Sequence, residues 1–317
     1  MPSKPSPRSV PVEGAVSPAE ALRFAAVADE VLTSVKYRPS GRCVGGEAGA
    51  PRIGTLREKR LHAAIKLYLC PDETCHERPM IDLIMPEEGS IDYRVLPARS
   101  MIAPKGRPRM ANPIADIAVD GQIFEVQTGG FFPLRDKIDW YLTHTRFRVT
   151  VVHPIPAVRY LSWIHPEDGA ILSRRKSPKR GRVRDVAKEL YWLSDFIGEP
   201  RFSLRILLLQ LEEYRMADGW SRDGKRGSNR YERFPTALLG DVTLTTPEDY
   251  ADYFLPAALR SPHEEGTYPL FTAAEYAKLT GIRGKATYGV IHLLERLDLI
   301  AEDEETVGRS KGYRAMR

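Results

Sequence analysis

Long apolar runs are missing from this 317-residue chain. No stretch approaches the roughly 18 consecutive apolar residues that a membrane-spanning helix needs. The first residues also lack the apolar core that follows the basic residues of a secretory signal. These absences predict a cytoplasmic protein with no membrane partner.

Cysteine is scarce as well, with only Cys43, Cys70 and Cys75 in the chain. An odd number of cysteines in a chain of this length predicts reduced thiols, because a chain with a sizeable core does not need disulfides. Cys70, Cys75 and His76 superficially suggest zinc. Their spacing and the lack of a second Cys/His pair do not favour it.

A large charge excess is the third absence. Lys and Arg total 47 and Asp and Glu total 42, which gives a net charge of +5. This balance permits nucleic-acid binding without requiring it. Hydrophobic residues make up 42% of the chain, enough for a substantial core, and the length fits about two domains.

One acid-bearing hairpin organises the centre of the sequence. Two apolar runs between Ile114 and Thr128 flank the pair Asp120-Gly121, which is typical of a two-residue hairpin turn. Each run carries one acid, Asp116 or Glu125, and the hairpin should bring the two together. Two carboxylates in an apolar sheet are costly unless a cation lies between them, and oxygen ligands suit Mg²⁺ or Mn²⁺.

The elements around this hairpin are predicted from capping residues and apolar periodicity. They are helices from Pro18 to about Val35 and from Thr55, a strand at Met80–Met85, a helix at Phe131–Leu142, a buried strand at Phe147–Val152, a hairpin of Tyr160–Ile164 with Ala170–Leu172, a helix at Val183–Leu193, a strand or helix at Leu204–Leu211, a surface loop at Asp218–Arg233 and a helix at Pro247–Phe254. The residues 37–53 are predicted to be a linker, and 99–109 a basic loop.

The last 48 residues have a different pattern. Phe271–Ile282 is predicted to form a helix and turn, Lys285–Leu297 a second helix, and Ile300–Arg317 two strands. This order is typical of a winged helix-turn-helix. Its proposed DNA contacts are Arg283, Lys285 and Tyr288 at the start of the second helix. In the two strands, which would form the wing, they are Arg309, Lys311 and Arg314. Such domains also serve in dimerisation or docking, and the acidic residues 302–305 suit a DNA backbone poorly.

The chain is therefore predicted to have four parts. They are a flexible N-terminal arm with one helix (1–54), an α/β domain (55–256), a linker (257–269) and the winged domain (270–317).

The hairpin and the preceding helix with Glu58 resemble the PD-(D/E)XK nuclease superfamily. Its core has an acid on a helix, a hairpin carrying Asp and then Glu-x-Lys, and a helix that crosses back. The nine positions from Asp116 to Glu125 resemble the spacing in members of that superfamily. The resemblance implies an α/β fold with a restriction-endonuclease-like mixed sheet flanked by helices.

The resemblance also implies the roles of the site residues. Asp116, Glu125 and the Val126 carbonyl would bind Mg²⁺ or Mn²⁺, and Glu58 would assist through water or a second ion. The usual lysine is replaced here by Gln127, as in some restriction endonucleases that resemble this pattern. An amide orients a water but neither holds positive charge nor relays a proton.

Further polar residues are candidates for auxiliary roles or for simple solvation. They are His62, His76, Glu77 and Arg135. Thr128 and Arg135 follow the hairpin and are candidates for phosphate contact.

Two basic segments have the composition of phosphate-binding loops, although charge runs of this kind are usually solvated. The candidate nucleic-acid contacts are Arg174, Arg175, Lys176 and Lys179 in the first segment, Lys225, Arg226 and Arg230 in the second, and Arg283 and Lys285 in the winged domain.

Much of the chain between Thr55 and Pro256 also resembles uncharacterised bacterial proteins that carry Glu-Ile-Gln-Thr, Arg-Arg-Lys-Ser-Pro-Lys and Lys-Arg-Gly-Ser segments. That likeness implies no activity. The favoured hypothesis is a Mg²⁺-dependent endonuclease acting on DNA in preference to RNA, with a homodimer as one way to cut both strands. The alternative is a catalytically inactive nuclease fold that binds DNA or serves as a scaffold.

Overall fold

The computed structural model describes residues 13–34, 59–80, 113–165, 170–217, 230–263 and 266–316. Within them the chain is mixed α/β, with a large mixed sheet flanked by helices and a small two-stranded sheet near the C-terminal end. The α/β class predicted from the sequence is confirmed. Several predicted features lie outside the described residues, namely Cys43, Glu58, Lys225, Arg226, the side chain of Arg230, the linker 37–53, the loop 99–109 and positions 81–85.

The helices and strands are as follows. The helices are α1 (Pro18–Thr33), α2 (Lys59–Leu69), α3 (Arg135–His144), α4 (Ala187–Leu190, flanked by the 3₁₀ turns Val183–Val186 and Tyr191–Leu193), α5 (Pro247–Phe254), α6 (Ala257–Arg260), α7 (Ala273–Thr280) and α8 (Lys285–Arg296). The strands are β1 (His76–Pro79), β2 (Ile114–Val119), β3 (Gln122–Val126), β4 (Arg148–Ile164), β5 (Ile171–Lys176), β6 (Phe202–Met216), β7 (Arg230–Leu244), β8 (Ile300–Val307) and β9 (Ser310–Ala315).

The large sheet has the strand order β1-β2-β3-β4-β6-β7. The first three strands are antiparallel, whereas β4 runs parallel to both β3 and β6. The strand β5 pairs antiparallel with the second half of β4, and β7 pairs antiparallel with β6. Helix α3 is thus the crossover that returns the chain from β3 to the parallel strand β4.

The two helices nearest the hairpin cover opposite faces of the sheet. Ile123 belongs to the same buried cluster as Tyr141 of α3. Val126 belongs to a second cluster with Leu61 and Ile65 of α2. Because successive residues of a strand face opposite sides, side chains from α2 and α3 reach the hairpin from different directions.

The hairpin turn has the predicted geometry. Asp120 and Gly121 have φ values of 49° and 73°. Two consecutive positive φ angles define the turn that matches the twist of the flanking strands, and an Asp-Gly pair adopts it at low cost. The predicted hairpin is confirmed.

Strand β4 differs from the prediction. Phe147–Val152 and Tyr160–Ile164 were expected as separate strands, but one strand of 17 residues, Arg148–Ile164, contains nearly all of both. Pro154 and Pro156 lie between the part that pairs with β3 and the part that pairs with β5. On that side of β4, no described strand lies next to the two prolines. Their missing N–H groups therefore remove few hydrogen bonds from the sheet.

Other boundaries also require correction. The prediction of a strand at Met80–Met85 is wrong for Met80, because strand β1 ends at Pro79 and Met80 follows it. Arg174–Lys176 form the end of strand β5, and Arg230–Arg233, expected in a loop, begin strand β7. Register with a neighbouring strand overrides the polar composition of these segments.

The helix predicted in a flexible N-terminal arm packs on the sheet. Ser17 caps α1, and Glu20 completes a capping box with it. Phe24 and Val31 are fully buried, and the rings of Phe24 and Tyr68 meet edge to face at 5.1 Å. The apolar face of α1 therefore belongs to the core.

The C-terminal elements occur at the predicted residues. Helix α7 ends at Gly281, which has a φ of 76°. Helix α8 and the pair β8-β9 follow, and Phe271 forms an isolated bridge with Tyr313. The predicted linker contains helix α6, whose Leu259 is buried in the same continuous core as the large sheet and α8. No helix within the described residues is long and apolar enough to span a membrane.

Candidate active site

Asp116 and Glu125 lie next to each other on β2 and β3. The Asp116 N–H donates to Glu125 Oε1 at 3.4 Å, and the Val126 N–H donates to Asp116 Oδ2 at 2.8 Å. The two-residue turn therefore places both carboxylates beside the same pair of strands.

Two side chains of α3 bind the Glu125 carboxylate. Lys137 Nζ donates to Glu125 Oε2 at 2.6 Å, and the Tyr141 hydroxyl donates to Oε1 at 2.8 Å. The two donors are four positions apart and so share one face of the helix. Glu125 is only 1% exposed, which makes this a buried ion pair with an additional hydrogen bond.

The pKa values of the two acids move in opposite directions. Burial, together with the negative charge of Asp116, raises the pKa of Glu125 to about 7, although Lys137 and Tyr141 oppose this shift. Burial also acts to raise the pKa of Asp116, but the hydrogen bond and charge of His62, the charge of Lys137 and the hydrogen bond from the Val126 N–H together lower that pKa. Near neutral pH, Asp116 is thus ionised while Glu125 titrates, and an added cation favours ionised Glu125.

His62 approaches Asp116 from α2. Its Nε2 lies 3.2 Å from Asp116 Oδ2, and both side chains are largely buried. Of the four auxiliary residues considered from the sequence, His62 is thus the one whose described contacts reach the acid pair.

The other three auxiliary residues make contacts elsewhere. His76 Nε2 donates to the Cys70 carbonyl at 2.9 Å, and burial lowers the pKa of His76. Glu77 forms an ion pair with the buried Lys66. Arg135 forms an ion pair with Asp195.

The Gln127 amide binds the loop that follows β3. Its Nε2 donates to the Gly130 carbonyl at 2.5 Å. The Gln127 backbone is held by the N–H bond to the Val152 carbonyl at 2.9 Å and by the bond from His153 Nδ1 to the Gln127 carbonyl at 2.6 Å. No described contact joins the Gln127 side chain to the two carboxylates, so its expected role in positioning water has no support in this geometry.

Lys137 and Tyr141 are the residues that sequence reasoning missed. The positive charge absent at position 127 is present at Lys137, ten residues later. A lysine and a tyrosine four apart, on a helix directly after an acid-bearing hairpin, were the available signal. That signal is weak, because polar residues at this spacing occur on many solvated helices.

The acid pair offers a limited donor set to a divalent cation. Among the described residues, no group of three or more His, Cys, Asp and Glu side chains is placed to hold a metal ion. The adjacent carboxylates of Asp116 and Glu125 still fit Mg²⁺, which usually takes one or two carboxylates and completes its shell with water and substrate phosphate. The raised pKa of Glu125 agrees with a place where added positive charge is favourable.

Three residues of the first basic segment contact neighbouring strands of the sheet. Arg174 donates to both oxygens of Glu212 at 2.9 and 3.1 Å and lies over the Tyr160 ring at 4.1 Å. Arg175 lies over the Trp163 ring at 5.3 Å, and Lys176 lies 5.8 Å from the Tyr160 ring. These three hold β5 against its neighbours.

The basic residues of the C-terminal unit also differ among themselves. Arg283 and Lys285 are exposed at the start of α8. Lys311 pairs with Glu302 at 2.7 Å, and Arg314 pairs with Asp303 at 2.6 Å. The acidic residues of β8 thus neutralise cations of the proposed wing.

Comparisons with known proteins found a family and a relative, and neither is described with an activity. A family model described as a domain of unknown function (DUF8091) matches residues 108–245, a range that includes the acid pair and Lys137. An uncharacterized protein of Treponema pallidum (strain Nichols) is 29% identical over 262 residues, which cover 83% of this chain and 87% of that protein. No solved structure matches the chain significantly.

Proposed function

We propose that this protein is a metal-dependent endonuclease that hydrolyses phosphodiester bonds in DNA. The observation that carries the proposal is the contact between Lys137 and Glu125, immediately beside Asp116. Two adjacent carboxylates suit a divalent cation, and an ammonium group beside them suits the negative charge that develops on a phosphate during hydrolysis. Gln127 could not supply this positive charge, because an amide side chain is neutral.

The order of elements supports the proposed superfamily. Helix α2, strand β1, the β2-β3 hairpin, the crossover helix α3 and the parallel strand β4 follow one another as in the core implied by the PD-(D/E)XK resemblance. A restriction-endonuclease-like fold is therefore part of the proposal.

A winged helix is proposed for the C-terminal unit. It rests on the order α7, Gly281, α8, β8 and β9, with exposed Arg283 and Lys285 at the start of α8. In this proposal the unit targets the enzyme to DNA.

Each residue of the centre has a separate task. Asp116, Glu125 and the Val126 carbonyl would hold Mg²⁺ or Mn²⁺, and the bound ion would acidify water and stabilise negative charge on the phosphate. Lys137 places an ammonium group beside the carboxylates, where it favours ionised Glu125 and stabilises charge that develops on a phosphate oxygen. The Tyr141 hydroxyl orients Glu125.

The second candidate function is a DNA-binding or scaffold protein with an inactive nuclease fold. The observation that favours it is the set of protein partners already present at the acids. Lys137 and Tyr141 bind the Glu125 oxygens, and His62 and the Val126 N–H approach Asp116 Oδ2. Protein groups thus occupy hydrogen-bonding positions of both carboxylates that a bound cation would otherwise take.

A cleavage assay separates the two candidates. Purified full-length protein is incubated with linear, circular, branched and single-stranded DNA and with RNA, in Mg²⁺, Mn²⁺ or EDTA. We expect cleavage in a divalent cation that Asp116→Asn and Glu125→Gln abolish, whereas Asp120→Asn, at the turn of the same hairpin, keeps it. Binding without cleavage in any metal would establish the inactive candidate, and cleavage by both site variants would refute the site.

A further inference from the structure

We propose that a groove that begins directly after β3 binds single-stranded nucleic acid, with phosphates along its cations and unpaired bases against three aromatic side chains. The inference rests on the proposed function for the catalytic chemistry and adds the form of the substrate. Two independent features carry it, a continuous basic groove and a group of partly exposed rings on the chain segments next to the groove residues.

The groove runs from the loop that follows β3 to the C-terminal unit. One cavity, of about 700 Å³, begins at the loop 128–130, directly after β3. A second cavity, of about 580 Å³, ends at Gly281 and Arg283 between α7 and α8. Arg180, Asp185 and Lys188 line both cavities, so the two form one path.

The groove is rich in cations. Lys179, Arg180, Arg182 and Lys188 line it and are exposed, whereas Asp185 is the acid common to both cavities. Within the described parts of the chain, none of these four cations forms an ion pair with a carboxylate. This differs from Arg174, which is bound to Glu212, and it leaves the four charges available to a phosphate backbone.

A group of aromatic rings lies on chain segments that adjoin the groove residues. Trp192 meets Phe132 at 4.8 Å and Tyr191 at 5.2 Å, both edge to face. Tyr191 is 57% exposed and Phe132 is 42% exposed. Tyr191 and Trp192 follow the groove residue Lys188 by three and four positions, in the 3₁₀ turn that continues α4.

The loop that follows β3 also connects the rings to the groove. Phe132 follows the groove residue Gly130 by two positions, and the Phe131 N–H donates to the groove residue Glu189 at 3.0 Å. The two chain segments that carry the rings are therefore joined at the groove itself.

The rings distinguish single strands from duplexes. In a duplex the base faces are stacked on one another and unavailable to protein side chains. An unpaired base presents a free face, which stacks on aromatic residues while the backbone follows a basic groove. Cations alone suit both forms, but exposed aromatic side chains beside them favour the single strand.

The test measures binding without cleavage. Full-length protein in EDTA is titrated into a fluorescein-labelled single-stranded DNA of about 20 nucleotides and into the blunt duplex of the same sequence, and anisotropy is recorded. We expect the single strand to bind at least about 10-fold more tightly, and Tyr191→Ala to weaken that binding about 10-fold with little change for the duplex. The control Leu172→Ala removes an exposed apolar side chain from β5 and should change neither affinity.

Two further variants test the separate features. Arg180→Glu should weaken binding of both DNA forms and reduce the dependence of the affinity on salt. Trp192→Phe preserves an aromatic ring and the local packing. The single strand should quench tryptophan fluorescence in the wild-type protein but much less in this variant.

The outcomes for the groove and for the enzyme are distinguishable. Equal affinity for both DNA forms, with no effect of Tyr191→Ala, would overturn the groove assignment even if Mg²⁺-dependent cleavage is observed. Selective single-strand binding that requires Tyr191, without cleavage in any metal, would support the groove and refute the nuclease.

Discussion

The buried acid Glu125 makes a quantitative prediction about stability and pH. Its pKa is raised from 4.5 to about 7 in the folded protein, mainly by burial. The folded state therefore holds this proton more tightly than the unfolded state. The stability linked to the group is fully present below about pH 4.5 and is lost as the pH rises through about 7.

The size of the effect follows from the two pKa values. A difference of about 2.5 units corresponds to about 3.4 kcal/mol when the group is ionised in both states. Part of this is already lost at pH 5, so linkage gives a decrease of about 2.5 kcal/mol in the free energy of unfolding between pH 5 and pH 8. Glu125→Gln removes the ionisation while it preserves the side-chain size and an acceptor for Tyr141.

The assay is urea unfolding of the wild-type protein and the variant at pH 5 and pH 8, in EDTA. The stability of Glu125→Gln relative to wild type should increase by about 2.5 kcal/mol from the lower to the higher pH. Any constant cost of the altered contact with Lys137 cancels in this difference. Asp120→Asn, which removes an exposed acid from the same hairpin, is the control.

Two results would contradict this reasoning. If the relative stability of Glu125→Gln is the same at both pH values, burial does not raise the Glu125 pKa as described. If the relative stability falls with pH, the ionised form is the favoured one and Lys137 dominates the site.

Four other changes have defined outcomes. Lys137→Met should lower cleavage about 100-fold or more, because it removes the ammonium group beside Glu125. Gln127→Ala should alter cleavage by less than about threefold, since its amide contacts a loop carbonyl and its loss removes no charge-stabilising group. Mg²⁺ at about 100 times its dissociation constant should stabilise the wild type by about 2.7 kcal/mol, but Glu125→Gln much less. Gly181→Ala should destabilise the protein by about 1–3 kcal/mol in urea unfolding, because a Cβ there lies 2.5 Å from the Ile155 Cγ2.

The controls for these changes come from the same chain. Lys278→Met removes an exposed lysine from α7 and should leave cleavage unchanged. A strong loss of activity in Gln127→Ala, with full activity in Lys137→Met, would assign the catalytic role to the amide. Equal stabilisation of wild type and Glu125→Gln by Mg²⁺ would place the ion elsewhere, and an unaffected Gly181→Ala would show that the contact relaxes freely.

Local sequence signals predicted the elements that depend on few neighbours. Helix α1 begins at Pro18 as predicted, and the helix at Pro247–Phe254 has the predicted bounds. The Asp120-Gly121 turn has the backbone angles that this pair favours. In each case the decisive contacts lie within a few residues of one another.

Elements that depend on distant pairing were predicted less well. Strand β4 continues through Pro154 and Pro156 because its neighbours on one side are two different strands. Strand β7 begins in a segment with the composition of a loop and pairs with β6. Cross-strand register and burial decide such strands, and neither is visible in a short window of sequence.

The candidate site also combines contacts that follow from local sequence with contacts that depend on distant packing. The sequence by itself determined that Asp116 and Glu125 are close, because nine positions and a two-residue turn leave few alternatives. Only the tertiary structure decided that Lys137 meets Glu125 and that His62 meets Asp116, because both partners lie on helices packed against opposite faces of the sheet. It also decided the raised pKa of Glu125, since burial is a property of the packed molecule and not of the hairpin.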